Sequence, residues 1–178
     1  MHPGLPLDWV VVSALAAPHL LYSFIWFFPK IWLRWFGKEA VTVFSYIAAC
    51  GKVLQFGAMV AWLTLSAGKG LWLDVTQVRA VQWAVFFVLF LGGQVLNGGV
   101  YRAIGKNGVY YGFKLGKKIP WCSGFPFNVV AHPQYIGSVI TIWGIVALLW
   151  GQAPAGFGKL AWYWTCLYAV TALQEHFT

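Results

Sequence analysis

Residues 80–101 read Ala-Val-Gln-Trp-Ala-Val-Phe-Phe-Val-Leu-Phe-Leu-Gly-Gly-Gln-Val-Leu-Asn-Gly-Gly-Val-Tyr, without one charged side chain. At about 1.5 Å per residue, roughly 20 such residues cross the hydrocarbon core of a bilayer, which is about 30 Å thick. Apolar runs of comparable character lie on either side, at about 8–28 (closed by Pro29), 41–66, 135–150 and 159–175. The first three runs are long enough to span alone. The last two are shorter and are separated by Gly151, Pro154, Gly156 and Gly158, so they form either two crossings or a bent hairpin. Open strands would leave unpaired backbone groups in lipid, and none of the runs alternates as a barrel strand does. The expectation is an all-α, polytopic integral membrane helical bundle of four to five apolar helices with a C-terminal helical hairpin. It forms a single domain over 1–178, with a polar ligand-binding segment at 102–134.

Composition agrees. The chain is 60% hydrophobic and 9% charged, with 12 Trp, 14 Phe and 8 Tyr, far too little charge to cover a soluble domain of this length. Its formal charge of +8 sits mostly between the apolar runs, where Lys and Arg set orientation and meet anionic headgroups. No nucleic-acid module is present. Lys30, Arg34 and Lys38 follow the first run, and Arg102, Lys106, Lys114, Lys117 and Lys118 follow the third, so both loops are expected to face the cytosol. A closing hairpin then returns Glu175 to the face that carries His132. No basic residue precedes the first run, so it reads as a retained helix rather than a cleaved signal, with Pro18 and His19 predicting a kink. Whether that helix crosses or lies in the interface stays open. Cys50, Cys122 and Cys166 have no paired spacing; Cys50 and Cys166 read as small buried residues.

The chemistry-bearing residues cluster after the third run. Gln94, Asn97 and Tyr101 share one helical face, which suits either interhelical hydrogen bonds or a cavity wall. Gly105-Lys-Asn-Gly108 and Tyr111-Gly112 let backbone approach a ligand, although a helix end followed by a turn also explains them. The segment 120–137, PWCSGFPFNVVAHPQYIG, is polar, aromatic and rich in breakers between apolar runs. His132 precedes Pro133, a first-turn residue, and a helix N-terminus there favours an anion. No histidine forms a metal-ligand spacing with it, so no metal is expected. Lys52 lies inside the second apolar run, where the favoured reading has its amine snorkelling to the interface. Glu175 ends the last run, beside Gln174 and His176. It reads as either a solvated helix end or a partner for a ligand ammonium.

HPxYxG opening a late helix, with a Glu ending the next, resembles the membrane methyltransferases that use S-adenosylmethionine. That group includes isoprenylcysteine carboxyl methyltransferases and phospholipid N-methyltransferases, with sterol reductases as distant relatives. The fuller set covers about residues 45–176: Lys52-Val-Leu-Gln-Phe, Gly93-Gln94, Leu96-Asn97, Tyr110-Tyr111-Gly112, Ile119-Pro120-Trp121, Phe125-Pro126-Phe127 and Pro133-Gln134-Tyr135. It is similar to the plant-type phospholipid methyltransferases, which act on phosphatidyl-N-methylethanolamine.

The resemblance implies methylation of phosphatidyl-N-methylethanolamine and its dimethyl form toward phosphatidylcholine, with S-adenosylmethionine as cofactor. It also implies a bilayer phospholipid as partner and an endoplasmic reticulum membrane location with the site facing the cytosol. One implied cofactor segment is Ile104, Gly105 and Lys106, with Gly108 and Gly112 close by. The second is an acidic pair after the last helix, which here reads Gln174-Glu175, so the first acid is replaced and Glu175 is the better contact. His132, Pro133 and Tyr135, at the N-terminus of the helix they open, are further expected cofactor contacts, placed to meet its carboxylate. Asn97, Tyr101, Arg102 and Tyr110 are the expected lipid contacts on the third helix and just beyond it. Lys117, Lys118, Trp121 and Phe127 complete that set. His132 or Tyr111 is expected to pass the proton that leaves the amine. A prenylcysteine carboxyl methyltransferase and a non-catalytic bundle are the alternatives.

Overall fold

The computed structural model describes residues 6–67, 73–120 and 122–177. Trp121, expected at the lipid site, lies outside the described residues. Every regular element among them is helical: α1 (Pro6–Phe27), α2 (Pro29–Phe36), α3 (Ala40–Ser66), α4 (Ala80–Val109), α5 (Pro133–Leu148) and α6 (Phe157–Phe177). Short 3-10 turns at Gly37–Glu39 and Val75–Gln77 precede α3 and α4. Among the described residues, three stretches are long and apolar enough to cross a membrane: Leu7–Phe27, Pro29–Ser66 and Ala80–Val109. α5 is apolar but shorter. It packs along α6, with Trp143 Nε1 donating to Thr165 Oγ1 at 3.0 Å, so the two form a hairpin.

The outside of the bundle is as apolar as its inside. Val53, Leu54 and Val60 on α3 and Val85, Val88 and Leu91 on α4 are all exposed. Lipid makes that arrangement stable, and it also removes the usual drive to bury hydrophobes, so helices are held by close packing and interhelical hydrogen bonds. Cys50 and Cys166 follow this logic and face outward rather than inward as expected, because a small apolar side chain gains nothing by leaving lipid.

Polar glue sits inside. Gln55 is fully buried and its Nε2 donates to the Leu15 carbonyl at 2.7 Å, joining α3 to α1. His19 Nδ1 and Thr171 Oγ1 meet at 3.1 Å, joining α1 to α6. Pro18 does not end α1. Its ring packs where a Cβ on Gly51 of α3 would stand 2.9 Å from Cγ.

α4 and α5 share the most extensive contact of the fold, and α3 and α4 share no extended one. The α4–α5 seam runs through glycines. A Cβ at Gly93 would lie 2.2 Å from Thr141 Oγ1 and 2.4 Å from the Gly137 carbonyl. α4 itself extends past the expected end at 101 to Val109, with one break at Gly105 (φ 62°, ψ −177°), a conformation that favours glycine.

Helix polarity gathers two ends. At one, Trp62 of α3 bonds Asp8 of α1, and Gln82 of α4 bonds the last carbonyls of α5. At the other lie the end of α1, the start of α3, the end of α4, the start of α5 and the end of α6. Trp26 and Tyr111 rings are 5.2 Å apart there, and Phe44 and Tyr110 rings 5.4 Å. Both basic loops belong to this second end.

Substituting Gly93→Ala is expected to force α4 and α5 apart and lower stability by about 1–3 kcal/mol. Thermal unfolding in detergent measures it, and an unchanged midpoint would show that the seam is looser than described.

Candidate functional site

A cavity of about 230 Å³ opens at the basic end, lined by the end of α1, the end of α4 with the turn after it, the start of α5 and the end of α6. Its polar wall is a three-residue knot. Glu175 Oε1 accepts hydrogen bonds from the hydroxyls of both Tyr111 and Tyr135. The two hydroxyls stand 3.1 Å from each other. Each residue comes from a different segment, so the knot ties the turn after α4, α5 and α6 together. Glu175 Oε2 has no hydrogen bond among the described residues and is available to a ligand.

Tyr111 is buried and sits at φ 50°, the only non-glycine residue with positive φ among those described. The turn holds that unfavourable conformation because Gly112 N donates to the Asn107 carbonyl at 2.7 Å and Leu115 N to the Tyr111 carbonyl at 3.1 Å. Burial first, and the facing Glu175 carboxylate second, push the Tyr111 phenol well above the usual tyrosine range. It stays protonated and donates.

His132 caps α5 and its ring lies parallel to that of Tyr135 at 6.0 Å. Its carbonyl accepts from the Tyr135 and Ile136 amides, and its side chain makes no cap hydrogen bond and lines the cavity. Burial, and then the neighbouring His176 ring at 6.2 Å, hold its imidazole below the usual 6.5, so it is neutral at pH 7. Trp26, Phe113 and Phe127 supply flat apolar walls, and Lys114 Nζ lies 3.9 Å above the Trp26 ring.

A second cavity, of about 250 Å³, lies deeper between α3, α4, α5 and α6. Gln94, Asn97 and Tyr101 line it from one face of α4, with Lys52 opposite on α3 and Tyr168 on α6. Gln134 lines both cavities, and a smaller cleft between Tyr22, Tyr110, Tyr111 and Tyr135 also reaches it.

The expected residues divide between these spaces. Ile104, Gly108, Tyr111, His132, Pro133, Tyr135, Phe127 and Glu175 meet in the first cavity. Asn97, Tyr101 and Tyr110 meet in the second, where the Tyr101 and Tyr110 hydroxyls are 2.7 Å apart. Arg102 faces a separate groove with Gly98, Cys122 and Phe125. Lys117 and Lys118 are exposed and border neither cavity, and Lys106 lies 5.7 Å over the Tyr46 ring. Gly112 packs on the Asn107 carbonyl, Gly105 serves the break in α4, and Gln174 accepts from Ser23 Oγ at 2.6 Å on α1. Lys52 does not snorkel. Its amine turns inward to Gln55 Oε1 at 3.1 Å and to the Tyr168 hydroxyl. Residue reasoning gave no role to Trp26 and Gln134; the second follows directly on the His132-Pro133 step, and the first carries no sequence signal. Among the described residues no group of three His, Cys, Asp or Glu stands close enough to hold a metal.

Replacing Tyr135 with Phe removes one donor from a buried carboxylate. It is expected to cost about 1.5–3 kcal/mol, as is Tyr111→Phe, and the two losses should not add because both act on Oε1. Thermal unfolding of the single and double variants tests this, and independent, additive losses would contradict a shared knot.

Comparison with known proteins follows the same geometry. A family model described as phospholipid methyltransferase matches residues 81–178. The chain is 32% identical over 126 residues to a phosphatidyl-N-methylethanolamine N-methyltransferase of Arabidopsis thaliana, covering 69% of this chain and 73% of that protein. It is 36% identical over 83 residues to the protein of the same name from Neurospora crassa, covering 46% of this chain and 37% of that one. No solved structure matches.

Proposed function

The chain belongs to the phospholipid methyltransferase family, and from that premise we propose that it methylates the amine of phosphatidyl-N-methylethanolamine and of its dimethyl product, toward phosphatidylcholine, with S-adenosylmethionine as donor. The observation that carries this reading is a tyrosine-held carboxylate facing a neutral histidine across one cavity at the basic end of a membrane bundle.

The lining suits such a cofactor. Glu175 offers Oε2 to its ammonium group. The N-terminus of α5, opened by Pro133, and the adjacent His132 suit its carboxylate. Ile104 and Gly108 with Trp26, Phe113 and Phe127 offer apolar contact to the nucleoside. When bound, the cofactor supplies an electrophilic methyl on a sulfonium centre.

The chain's own residues do the rest. They hold donor and acceptor in line, which contributes up to roughly 7–11 kcal/mol when orientation is good. The acceptor amine has to lose a proton before it attacks. His132, neutral at pH 7, is the group in the cavity suited to take it, whereas the Tyr111 phenol is held protonated as a donor to Glu175. Aromatic faces at Tyr110 and Phe127 favour the methylated ammonium. Lys106, Lys114, Lys117 and Lys118, together with Arg102, meet anionic headgroups at the rim. Their concentration at this end supports a cytosol-facing site by the positive-inside rule, and we place the protein in the endoplasmic reticulum membrane as the resemblance implies.

Incubating the reconstituted protein with labelled cofactor and defined lipids tests the reading. Dimethyl and trimethyl phospholipids are the expected products, and methylation of a prenylcysteine carboxylate instead would overturn it. Glu175→Gln is expected to weaken cofactor binding about 10- to 100-fold, the worth of one charge-assisted hydrogen bond, by calorimetry. In the pH profile, a lowered imidazole pKa keeps His132 neutral until pH falls below 6.5, so activity should decline only on that acid side. His132→Gln should remove that limb and lower kcat more than it raises the cofactor KM.

A further inference from the structure

We propose that Lys52 binds the phosphodiester of the lipid acceptor in the second cavity, reached sideways from the bilayer between α3 and α4. This rests on the methyltransferase reading and assigns the lipid's own subsite within it. A lysine amine inside a membrane bundle is costly unless paired. Yet Lys52 Nζ meets only neutral groups, Gln55 Oε1 and the Tyr168 hydroxyl, and lies 4.9 Å from the centre of the Tyr168 ring.

No carboxylate of the chain serves as its counter-ion. The sequence has four acidic residues. Asp8 bonds Trp62, Asp74 bonds Thr76 and Gln77, and Glu175 bonds the two tyrosines. Glu39 precedes α3, about 20 Å from Lys52 along that helix. The cation therefore points into a cavity that lacks an anion, and a phosphate is the anion a membrane lipid brings.

Three further features point the same way. Trp164 Nε1, on a residue lining this cavity, is a buried donor without a hydrogen-bond partner among the described residues, and the equally unpartnered Asn97 Oδ1 is an acceptor suited to the lipid's ammonium rather than its phosphate. α3 and α4 share no extended contact, and Gln94, which lines the cavity from mid-helix, is exposed. Gln134 also lines both this cavity and the first one. The Tyr168 ring that carries Lys52 is 6.0 Å from the ring of Tyr135, which bonds Glu175. A phosphate at Lys52 thus leaves the amine, a two-carbon arm away, on the side of Gln134 and Tyr135 that the first cavity shares.

Binding of short-chain phosphatidyl-N-methylethanolamine to the full chain in detergent, followed by tryptophan fluorescence, tests the proposal. Diacylglycerol of the same chains and inorganic phosphate are the comparison ligands. The unsubstituted protein should prefer the phospholipid over diacylglycerol by tenfold or more. Lys52→Met should abolish that preference and Lys52→Arg should retain most of it, with cofactor binding in each within twofold of the parent. A Lys52→Met protein that binds cofactor normally and keeps the preference overturns the proposal. So does equal binding of phospholipid and diacylglycerol by the unsubstituted protein, which needs no folded variant. Inorganic phosphate binding as tightly as the lipid would make this a free-anion site and overturn the lipid assignment. Absence of cofactor binding in the unsubstituted protein would sink the methyltransferase reading alone, since the lipid measurement does not depend on it.

Discussion

A carboxylate in an apolar bundle has to be held by donors, and here the donors decide the architecture. Glu175 takes its two hydrogen bonds from Tyr111 and Tyr135, which lie in separate stretches of chain. The turn after α4 has to fold back far enough to bring Tyr111 in, even at a positive φ. α5 has to begin where Tyr135 faces α6, and His132 follows because it caps that helix. The first cavity is the space these three requirements leave. Trp26 closes it from α1, its ring 5.2 Å from that of Tyr111.

The two cavities also keep opposite charges apart. Glu175 marks one and Lys52 the other, with Tyr135 and Tyr168 rings between them. Two buried ions of opposite sign in direct contact would neutralise each other and attract no ligand. Separated by aromatic rings, each retains its demand for a partner, one for a cation and the other for an anion. The proposed reaction, which joins a cationic cofactor to the phosphate-bearing headgroup of a zwitterionic lipid, suits that division.

Much of this was legible in the chain. Uninterrupted apolar runs located the helices, since a bilayer sets their length more strictly than any local propensity. The bundle's polar end was legible from His132-Pro133 and the lone late carboxylate, because charge near lipid is too costly to be placed without a partner. Rotation about each helix axis was not. Whether Lys52 turns to the interface or inward depends on where Tyr168 of α6 stands, a contact between residues 116 positions apart. The same ignorance of helix facing put Cys50 and Cys166 inside, and left Gln174 beside Glu175 when its side chain turns to Ser23. Gln134 was missed for a different reason: no spacing rule marks a residue that borders two cavities.

The length of α4 has a consequence for traffic. At about 45 Å, its 30 residues outreach the hydrocarbon layer of about 30 Å by half, so its last turns, with the break at Gly105, stand among headgroups and water. In the proposed reaction a nucleoside cofactor dissolved in the aqueous phase would reach that height unaided, while a lipid entering beside α3 would stay within its leaflet. A partly modified molecule would then re-enter by two-dimensional diffusion alone.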